Sequence, residues 1–314
     1  METLAPIVLF CYNRLDTLKH TVESLQQNYW AEESELFIFS DGAKKIEDRP
    51  VIDKVRAYLK TISGFRKITI IEAERNRGLA NSIISGVNDI INKYDKVIVL
   101  EDDLVTSRNF LIYMNKGLEY YKDNTKIFSI TGFSIPIRGL NENTIYFTQR
   151  ANSCGWGTWK DRWNNIDWEV KDYPALMHNR AARRAFNKMG SDMTGLLIKQ
   201  KLGKIDSWAI RWCYHQFKYD LYSVHPVVSK IKNIGYAAGA THTKEKFNRF
   251  ETELDTSDVT DIDFNIPVRL EKKVIRQFVR PFSIPYRAVY KVLNIVFGSG
   301  LLEEIIVCFS EIGR

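Results

Sequence analysis

The chain has 314 residues, of which 45% are hydrophobic, and a formal net charge of +7. This length and apolar content are enough for a full hydrophobic core, which excludes a disordered or fibrous protein and fits one large α/β domain or one domain with an appendage. No apolar stretch approaches the roughly 20 residues needed to span a bilayer, so we expect no integral membrane anchor.

Short apolar runs alternate with amphipathic stretches over the first 130 residues. The runs predict strands, and the apolar residues at helical spacing between them predict helices. The predicted strands are residues 6–10, 36–40, 67–72, 97–100 and 126–130, and the predicted helices are residues 15–25, 51–59, 78–92 and 110–121. This order is typical of the α/β class with a mainly parallel central sheet flanked by helices.

The regular alternation fades beyond about residue 140 into aromatic and glycine-containing segments. Residues 244–265 are polar and acidic and predict a loop or linker. Residues 266–314 predict a basic, amphipathic helical tail at the periphery. The cations concentrated there are Arg269, Lys272, Lys273, Arg276, Arg280, Arg287 and Lys291. A solvated helix face and contact with anionic lipid or another polyanion are both open interpretations of this charge.

The cysteines indicate a reducing compartment. Cys11, Cys154, Cys213 and Cys308 lie far apart and show neither the spacing of a zinc site nor that of a disulfide framework. The first apolar segment is only about half a dozen residues long, too short for a signal peptide. We therefore expect a cytoplasmic protein.

Polar residues follow directly after several predicted strands. Arg14 follows the first strand, Asp41 the second, and Asp102 and Asp103 the fourth. If the strands are parallel, these side chains share the carboxyl edge of the sheet, where open α/β sheets bind ligands.

Three consecutive acidic residues, Glu101, Asp102 and Asp103, end the fourth strand. Crowded like charges need a cation or hydrogen-bond donors to offset their repulsion. Carboxylates suit Mg²⁺ or Mn²⁺, which typically join them to substrate phosphates. The alternative is that these residues place negative charge at the start of the helix that begins near Ser107.

Taken together, four segments make the chain resemble the GT-A glycosyltransferases, especially the N-acetylglucosaminyltransferase I-like branch and its bacterial family 2-like relatives. In chain order they are residues 11–14 (Cys-Tyr-Asn-Arg), residues 40–42 (Ser-Asp-Gly), residues 99–104 (Val-Leu-Glu-Asp-Asp-Leu), and Gly155-Trp156 with Asp206-Ser207-Trp208. The resemblance covers roughly residues 5–243. It implies a GT-A domain over residues 1–243, with a nucleotide-sugar-binding half at 1–130 and an acceptor half at 131–243.

The resemblance also implies roles for residues at the edge of the sheet. Arg14 would lie near the donor nucleotide, and Asp41 would accept a hydrogen bond from the base. Glu101 and Asp102 would contact the nucleoside and sugar, and Asp103 would ligate the metal between the phosphates. Without the family, Arg14 reads as a partner of a surface carboxylate and Asp41 with Gly42 as a turn.

Asp206 is the candidate general base. Inverting transfer needs a base to take the proton of the acceptor hydroxyl. The resembling family has an Asp-Asp-Trp segment whose first carboxylate is the base, whereas this chain has Asp206-Ser207-Trp208 and lacks the second Asp. The alternative role of Asp206 is the N-cap of the following helix, and the two roles are compatible.

Five further residues are predicted to lie at the donor site because of the sequence segments that contain them. Trp156 and Trp208 fall in segments matched to the family and are predicted walls of the sugar pocket, although most tryptophans are core residues. Thr241 and His242 resemble a late segment that closes over the donor, where His242 would approach the diphosphate or metal. Arg77 precedes a helix whose amino terminus could face phosphate.

The sequence therefore predicts an inverting, Mn²⁺- or Mg²⁺-dependent glycosyltransferase that moves a sugar from a UDP-type donor to a glycan or lipid-linked glycan hydroxyl, in bacterial surface polysaccharide biosynthesis. A sugar nucleotidyltransferase and a noncatalytic polyanion- or membrane-binding protein are the alternatives. We expect no nucleic-acid partner. The basic tail, with its aromatic residues Phe278, Phe282, Tyr286 and Tyr290, fits peripheral attachment at the inner face of the cell membrane.

Overall fold

A computed structural model describes residues 3–235 and 248–298. The strands in these residues are β1 (Ile7–Cys11), β2 (Glu35–Ser40), β3 (Lys67–Glu72), β4 (Lys96–Glu101), β5 (Leu104–Thr106), β6 (Ile127–Thr131), β7 (Ile145–Thr148), β8 (Trp156–Trp159), β9 (Tyr222–Pro226) and β10 (Ile231–Asn233). The first four predicted strands correspond to β1 to β4, and the fifth corresponds to β6.

The helices are α1 (Leu15–Gln26), α2 (Arg49–Leu59), α3 (Leu79–Tyr94), α4 (Phe110–Tyr120), α5 (Lys160–Trp163), α6 (Tyr173–His178), α7 (Arg180–Phe186), α8 (Met193–Lys201), α9 (Trp208–Lys218), α10 (Lys272–Phe278) and α11 (Ile284–Gly298). Short 3₁₀ turns occupy Ile46–Asp48, Asn187–Met189 and Arg280–Phe282. Among the described residues, no helix combines the length and the apolar character that crossing a bilayer requires.

Eight of the strands form one sheet in the order β3-β2-β1-β4-β8-β6-β9-β7. The pairs among β3, β2, β1 and β4 are parallel, as is the pair of β6 with β9. Strand β8 runs antiparallel to both its neighbours, and β7 runs antiparallel to β9. The predicted class, α/β with a mainly parallel sheet flanked by helices, is confirmed.

The sheet is buried on both faces, which explains why its central strands are continuously apolar. Along β1, Ile7 and Leu9 contribute to one core with α1 and α4, whereas Val8 and Phe10 contribute to a second core with α3 and α9. Because side chains alternate between the two faces of a strand, the five residues of β1 pack against the helices on both sides of the sheet.

A small second sheet holds the acidic residues in place. Strand β5 begins directly after Asp103 and pairs antiparallel with β10. The backbone N–H of Ile234 donates to the carbonyl of Asp103 at 2.9 Å. The chain between β4 and β5 is therefore fixed on both sides of the acidic triplet.

Residues 248–271 form no described helix or strand beyond a single bridge between Thr144 and Asp263, yet they lie against the core. Phe264 is buried, and its carbonyl accepts a hydrogen bond from the Tyr121 hydroxyl at 2.7 Å. Asp255 forms a buried ion pair with Lys230. The segment is thus attached to α4 and to the start of β10.

The beginning of the predicted tail belongs to the core. Phe278 is 2% exposed and Phe282 is 7% exposed, and both pack in the same core as α1 and α4. The Phe282 ring also lies against the Arg150 guanidinium, which pairs with Asp192 at 2.8 Å. The assignment of Phe278 and Phe282 to a membrane-facing surface is therefore wrong, because their rings are already covered by protein.

Candidate active site

The carboxyl ends of three adjacent parallel strands meet at one edge of the sheet. Strand β1 leads to Arg14, β2 to Asp41, and β4 ends in Glu101, which Asp102 and Asp103 follow. The register pairs Phe10 with Glu101 and Cys11 with Ser40, so the three strand ends are level. The structure brings these sequence-predicted residues together.

Asp102 and Asp103 share one cationic partner. Arg14 Nη2 donates to Asp102 Oδ1 at 3.0 Å and to Asp103 Oδ2 at 2.6 Å. The backbone N–H of Tyr12 donates to the other oxygen of Asp102 at 3.2 Å. The alternative that Arg14 pairs with a surface carboxylate is not what is observed, because its partners are the buried Asp102 and the half-buried Asp103.

The acidic triplet has more negative charge than its surroundings offset. Burial, with the charges of Asp103 and Asp102, raises the pKa of Glu101 from 4.5 to about 8, although Arg14 opposes the shift. Burial also raises the pKa of Asp102 to about 6 despite the favourable charge of Arg14, and Asp103 adds to the increase. With all three carboxyl groups ionised, the formal charge of the triplet and Arg14 is −2, which one divalent cation would balance.

The chemistry of the site fits a divalent metal that is shared with a substrate. The available donors are hard carboxylate oxygens, which Mg²⁺ and Mn²⁺ prefer. Over residues 3–235 and 248–298, no group of three or more His, Cys, Asp or Glu side chains forms an all-protein metal cage.

Asp41 organises a neighbouring loop. Its Oδ1 accepts from the N–H groups of Gly42 and Arg77 at 2.8 and 2.9 Å. Its Oδ2 accepts from the Asn76 side chain at 2.9 Å and from the Gly78 N–H at 3.1 Å. These four bonds use the acceptor capacity of a carboxylate. In this arrangement donors of the protein occupy both oxygens of Asp41, and its contact with the base stays a prediction.

Gly42 is required by the close approach of this loop. A Cβ atom at residue 42 would collide with the backbone of Arg75. Arg77 takes part in the loop through its backbone N–H, while its side chain is exposed. The structure therefore places Arg77 beside Asp41 at the start of α3 but shows no contact of its guanidinium with the acidic triplet.

Asp206 lies near the same loop and is open to solvent. Its side chain is 59% exposed, with Oδ1 3.8 Å from Arg211 Nη2. Its Oδ2 lies 3.6 Å from the position of an ideal Cβ on Gly78. Because Gly78 also donates to Asp41, Asp206 and Asp41 flank the same glycine. Ser207, and not Asp206, is the N-cap of α9, since the Ser207 hydroxyl accepts from the Ile210 N–H at 3.3 Å.

Trp156 and Trp208 are core residues. They are 1% and 3% exposed, and their ring centroids are 5.2 Å apart. With Trp163 and Trp212 they form a cluster, hereafter the tryptophan cluster, that packs α9 against β8. Their prediction as walls of a sugar pocket is wrong, because neighbouring indoles cover the faces that a sugar would need.

The remaining predicted residues, Thr241 and His242, lie outside the described residues.

Two residues near the acidic triplet were not predicted. Burial and the charges of Asp103 and Glu101 raise the pKa of the Cys154 thiol to about 12. The backbone of Gly235 lies directly against the Asp103 carboxylate. No local motif marks either position, since each reaches the site through strand pairing across the second half of the chain.

Comparison with known proteins identifies one family. The family described as Glycosyl transferase family 2 matches residues 7–188, more than half of the chain. The match includes β1 to β4 and the acidic triplet and ends before Asp206. No curated protein matches the chain.

Solved structures give a distant likeness. The mannosyltransferase PcManGT from Pyrobaculum calidifontis, in complex with GDP-Man and Mn²⁺, is 9% identical with a TM-score of 0.35, and the match covers 50% of this chain and 45% of that one. TarS of S. aureus is 13% identical with a TM-score of 0.29, and the match covers 45% of this chain and 24% of that one. The chain thus spans less than half of either protein, and a likeness at this level supports no inference about the present site.

Proposed function

Because the chain belongs to glycosyl transferase family 2 and is a glycosyltransferase, we propose that it transfers a sugar with inversion from a UDP-type donor to a glycan or lipid-linked glycan hydroxyl, in surface polysaccharide biosynthesis. The observation that carries this proposal is the convergence of Arg14, Asp102 and Asp103 at the carboxyl edge of β1 and β4. Membership of this family favours glycosyl transfer over the alternatives of a sugar nucleotidyltransferase and a noncatalytic binding protein.

Asp103 is the residue proposed to hold a divalent cation, Mn²⁺ or Mg²⁺. The raised pKa values of Glu101 and Asp102 support this, since burial and the charge of Asp103 disfavour their ionised forms despite Arg14, and a cation would offset that cost. A bound ion would stabilise the negative charge that develops on the departing diphosphate. Glu101 and Asp102 line the same edge of the sheet, and we propose that they contact the nucleoside and sugar of the donor.

Asp206 is proposed as the general base. Its exposed carboxylate is within reach of an acceptor that enters from solvent, and its N-cap alternative is filled by Ser207. The Trp208 ring, two residues later, is anchored in the tryptophan cluster, so the helix that follows Asp206 is packed into the core beside it. In this role Asp206 accepts the proton of the attacking hydroxyl.

The proposed acceptor and location involve the C-terminal helices. Residues 272–298 contain six Lys and Arg residues and no Asp or Glu. Three large apolar side chains of α11, Ile284, Val289 and Val292, are more than half exposed. Cations beside an exposed apolar stripe suit an anionic bilayer surface. We propose attachment at the inner face of the membrane through this stripe, next to a lipid-linked acceptor.

The activity is tested with a panel of UDP-sugars in the presence of Mn²⁺, measuring transfer and donor hydrolysis. Asp103→Asn is expected to lower kcat/KM by at least about 100-fold, in the range of lost transition-state charge stabilisation. Asp206→Asn is expected to lower kcat by a factor of about 100 to 10,000 while UDP still binds, because only proton transfer is removed.

The matched control is Asp53→Asn, which changes an exposed carboxylate on α2. It is expected to keep the wild-type rate. Full kcat in Asp206→Asn would refute the assignment of the base, and Mn²⁺-independent transfer that persists in Asp103→Asn would refute the metal-dependent mechanism.

A further inference from the structure

The Arg14 guanidinium lies where it partly neutralises the acidic triplet. A single nitrogen, Nη2, contacts Asp102 Oδ1 and Asp103 Oδ2 at 3.0 and 2.6 Å. The side chains are 23% exposed for Arg14, 9% for Asp102 and 15% for Asp103. Salt screens charges at this depth less than it screens a surface ion pair. One cation therefore joins the two carboxylates.

The fold limits how far this guanidinium can relax. Arg14 directly precedes α1, and its carbonyl accepts the N–H of Leu18 in the first turn at 3.1 Å. On the other side, the backbone of Gly235 packs against both charged groups. A Cβ at residue 235 would collide with Asp103 Oδ2 and lie 3.1 Å from Arg14 Nη1. The carboxylate and guanidinium thus lie between the start of α1 and the backbone of Gly235.

A cation that ligates Asp103 shares this carboxylate with Arg14. The two positive groups then repel each other across one carboxylate, in a region with less screening than water. With all three carboxyl groups ionised, the formal charge of the triplet with Arg14 is −2, which a divalent cation brings to zero. An anionic diphosphate that arrives with the cation makes the total negative again, and the guanidinium then attracts it.

We propose that Arg14 is a positioning residue that opposes binding of a divalent cation alone and favours binding of the cation together with the nucleotide diphosphate. This inference rests on the proposed role of Asp103 as a metal ligand. Arg14 thereby couples the two ligands. Its charge weakens the metal site until the donor is present, and it then contributes to holding the donor phosphates.

The test compares wild type with Arg14→Met and Arg14→Lys in two binding measurements. Mn²⁺ alone is titrated and followed by the electron paramagnetic resonance of the free ion, and UDP is titrated by calorimetry at saturating Mn²⁺. In Arg14→Met we expect about tenfold tighter binding of Mn²⁺ and about tenfold weaker binding of UDP. The substitution removes the positive charge that repels Mn²⁺ and attracts the diphosphate. Arg14→Lys keeps the charge and is expected to stay near wild type for Mn²⁺.

Arg269→Gln is the matched control, because it removes an exposed cation and is expected to change neither affinity. Arg14→Gln, which keeps a hydrogen-bond donor, replaces Arg14→Met if the latter does not fold. If Arg14 were purely structural, its replacement would weaken the binding of both ligands together. Unchanged or weaker Mn²⁺ binding in folded Arg14→Met or Arg14→Gln therefore overturns the role of Arg14 but not the metal role of Asp103. Failure of wild type to bind Mn²⁺, with or without UDP, overturns the proposed metal role as well.

Discussion

Glu101 and Asp102 hold like charges close together next to a single guanidinium. Burial and the charge of Asp103 raise both pKa values, to about 8 for Glu101 and about 6 for Asp102. A carboxyl group whose pKa is raised by folding binds protons more strongly in the folded state than in the unfolded state. Without a cation, the folded protein therefore loses stability as these groups ionise.

The pH dependence of stability follows from this sign. The stabilising contribution of the raised pKa values is fully present below about pH 4, the ordinary range of carboxyl groups, and is lost as the pH rises through about 6 and then about 8. In metal-free buffer, Glu101→Gln is expected to flatten the decrease in the free energy of unfolding between pH 6 and 8, measured by urea denaturation. A slope equal to that of wild type would contradict the electrostatic description.

Asp41 is expected to act through the loop that it holds. Asp41→Asn replaces one acceptor oxygen with an NH₂ group that faces donors such as the Gly78 N–H. Loss of satisfied donors of this kind costs about 1 to 3 kcal/mol. Urea denaturation should show this loss, and kcat should fall because Gly78 adjoins Asp206. Asp53→Asn is the control, with an expected change within about 0.5 kcal/mol. Equal stability of the two variants would contradict the positioning role.

The tryptophan cluster packs α9, the helix that follows the proposed base Asp206, against β8. Trp156 in β8 contacts Trp163, Trp208 and Trp212 with ring centroids 4.5 to 5.3 Å apart. Trp156→Ala is expected to lower the free energy of unfolding by about 3 to 5 kcal/mol, because a buried indole leaves a large cavity. Urea denaturation measures this, and Leu202→Ala, which truncates a 62% exposed side chain, serves as control. A cost below that of the control would show that the cluster does not support α9.

Helix α11 leaves Ile284, Val289 and Val292 more than half exposed, while Tyr286 and Tyr290 stack with ring centroids 4.8 Å apart. Val292→Asp is expected to reduce binding to anionic vesicles about tenfold or more, since it places a charge in the stripe. Vesicle co-sedimentation measures this with full-length protein. Truncation before α10 is unsuitable because it would remove the buried Phe278 and Phe282.

Leu202→Asp is the control for α11, since it adds the same charge at an exposed apolar residue outside the helix. It is expected to bind vesicles like wild type. Equal binding of wild type and Val292→Asp, or weak binding of wild type to anionic and neutral vesicles alike, would contradict membrane attachment through the stripe.

At the scale of the whole molecule, the parallel half of the fold was predictable from sequence. Strands such as β1 and β4 are buried on both faces and read as short, continuous apolar runs. The second half was not predictable in the same way, because β8 inserts antiparallel between β4 and β6 from a distant part of the chain. Such long-range pairing has no local signal in the sequence.

The residues of the candidate active site divide in the same way, into those that the sequence located and those whose role depends on distant parts of the chain. The positions of Arg14 and the acidic triplet follow from strand ends, which periodicity locates. The role of Asp41 depends on a loop 35 residues later in the chain, and the burial of Trp156 depends on α9 folding over β8. Neither is visible in the motif that contains the residue. Family resemblance placed these residues near the site but did not distinguish a ligand contact from a supporting one.

The central claim is that the carboxylates after β4 hold a cation against a nucleotide diphosphate. Thermal unfolding of wild type and Asp103→Asn with UDP, in Mn²⁺ and in chelator, tests it most directly. We expect UDP at about 100 times its Kd to stabilise wild type by about 2.7 kcal/mol in Mn²⁺, with little shift in chelator or in Asp103→Asn. An equal UDP-induced shift in Asp103→Asn, or in chelator, would contradict the claim.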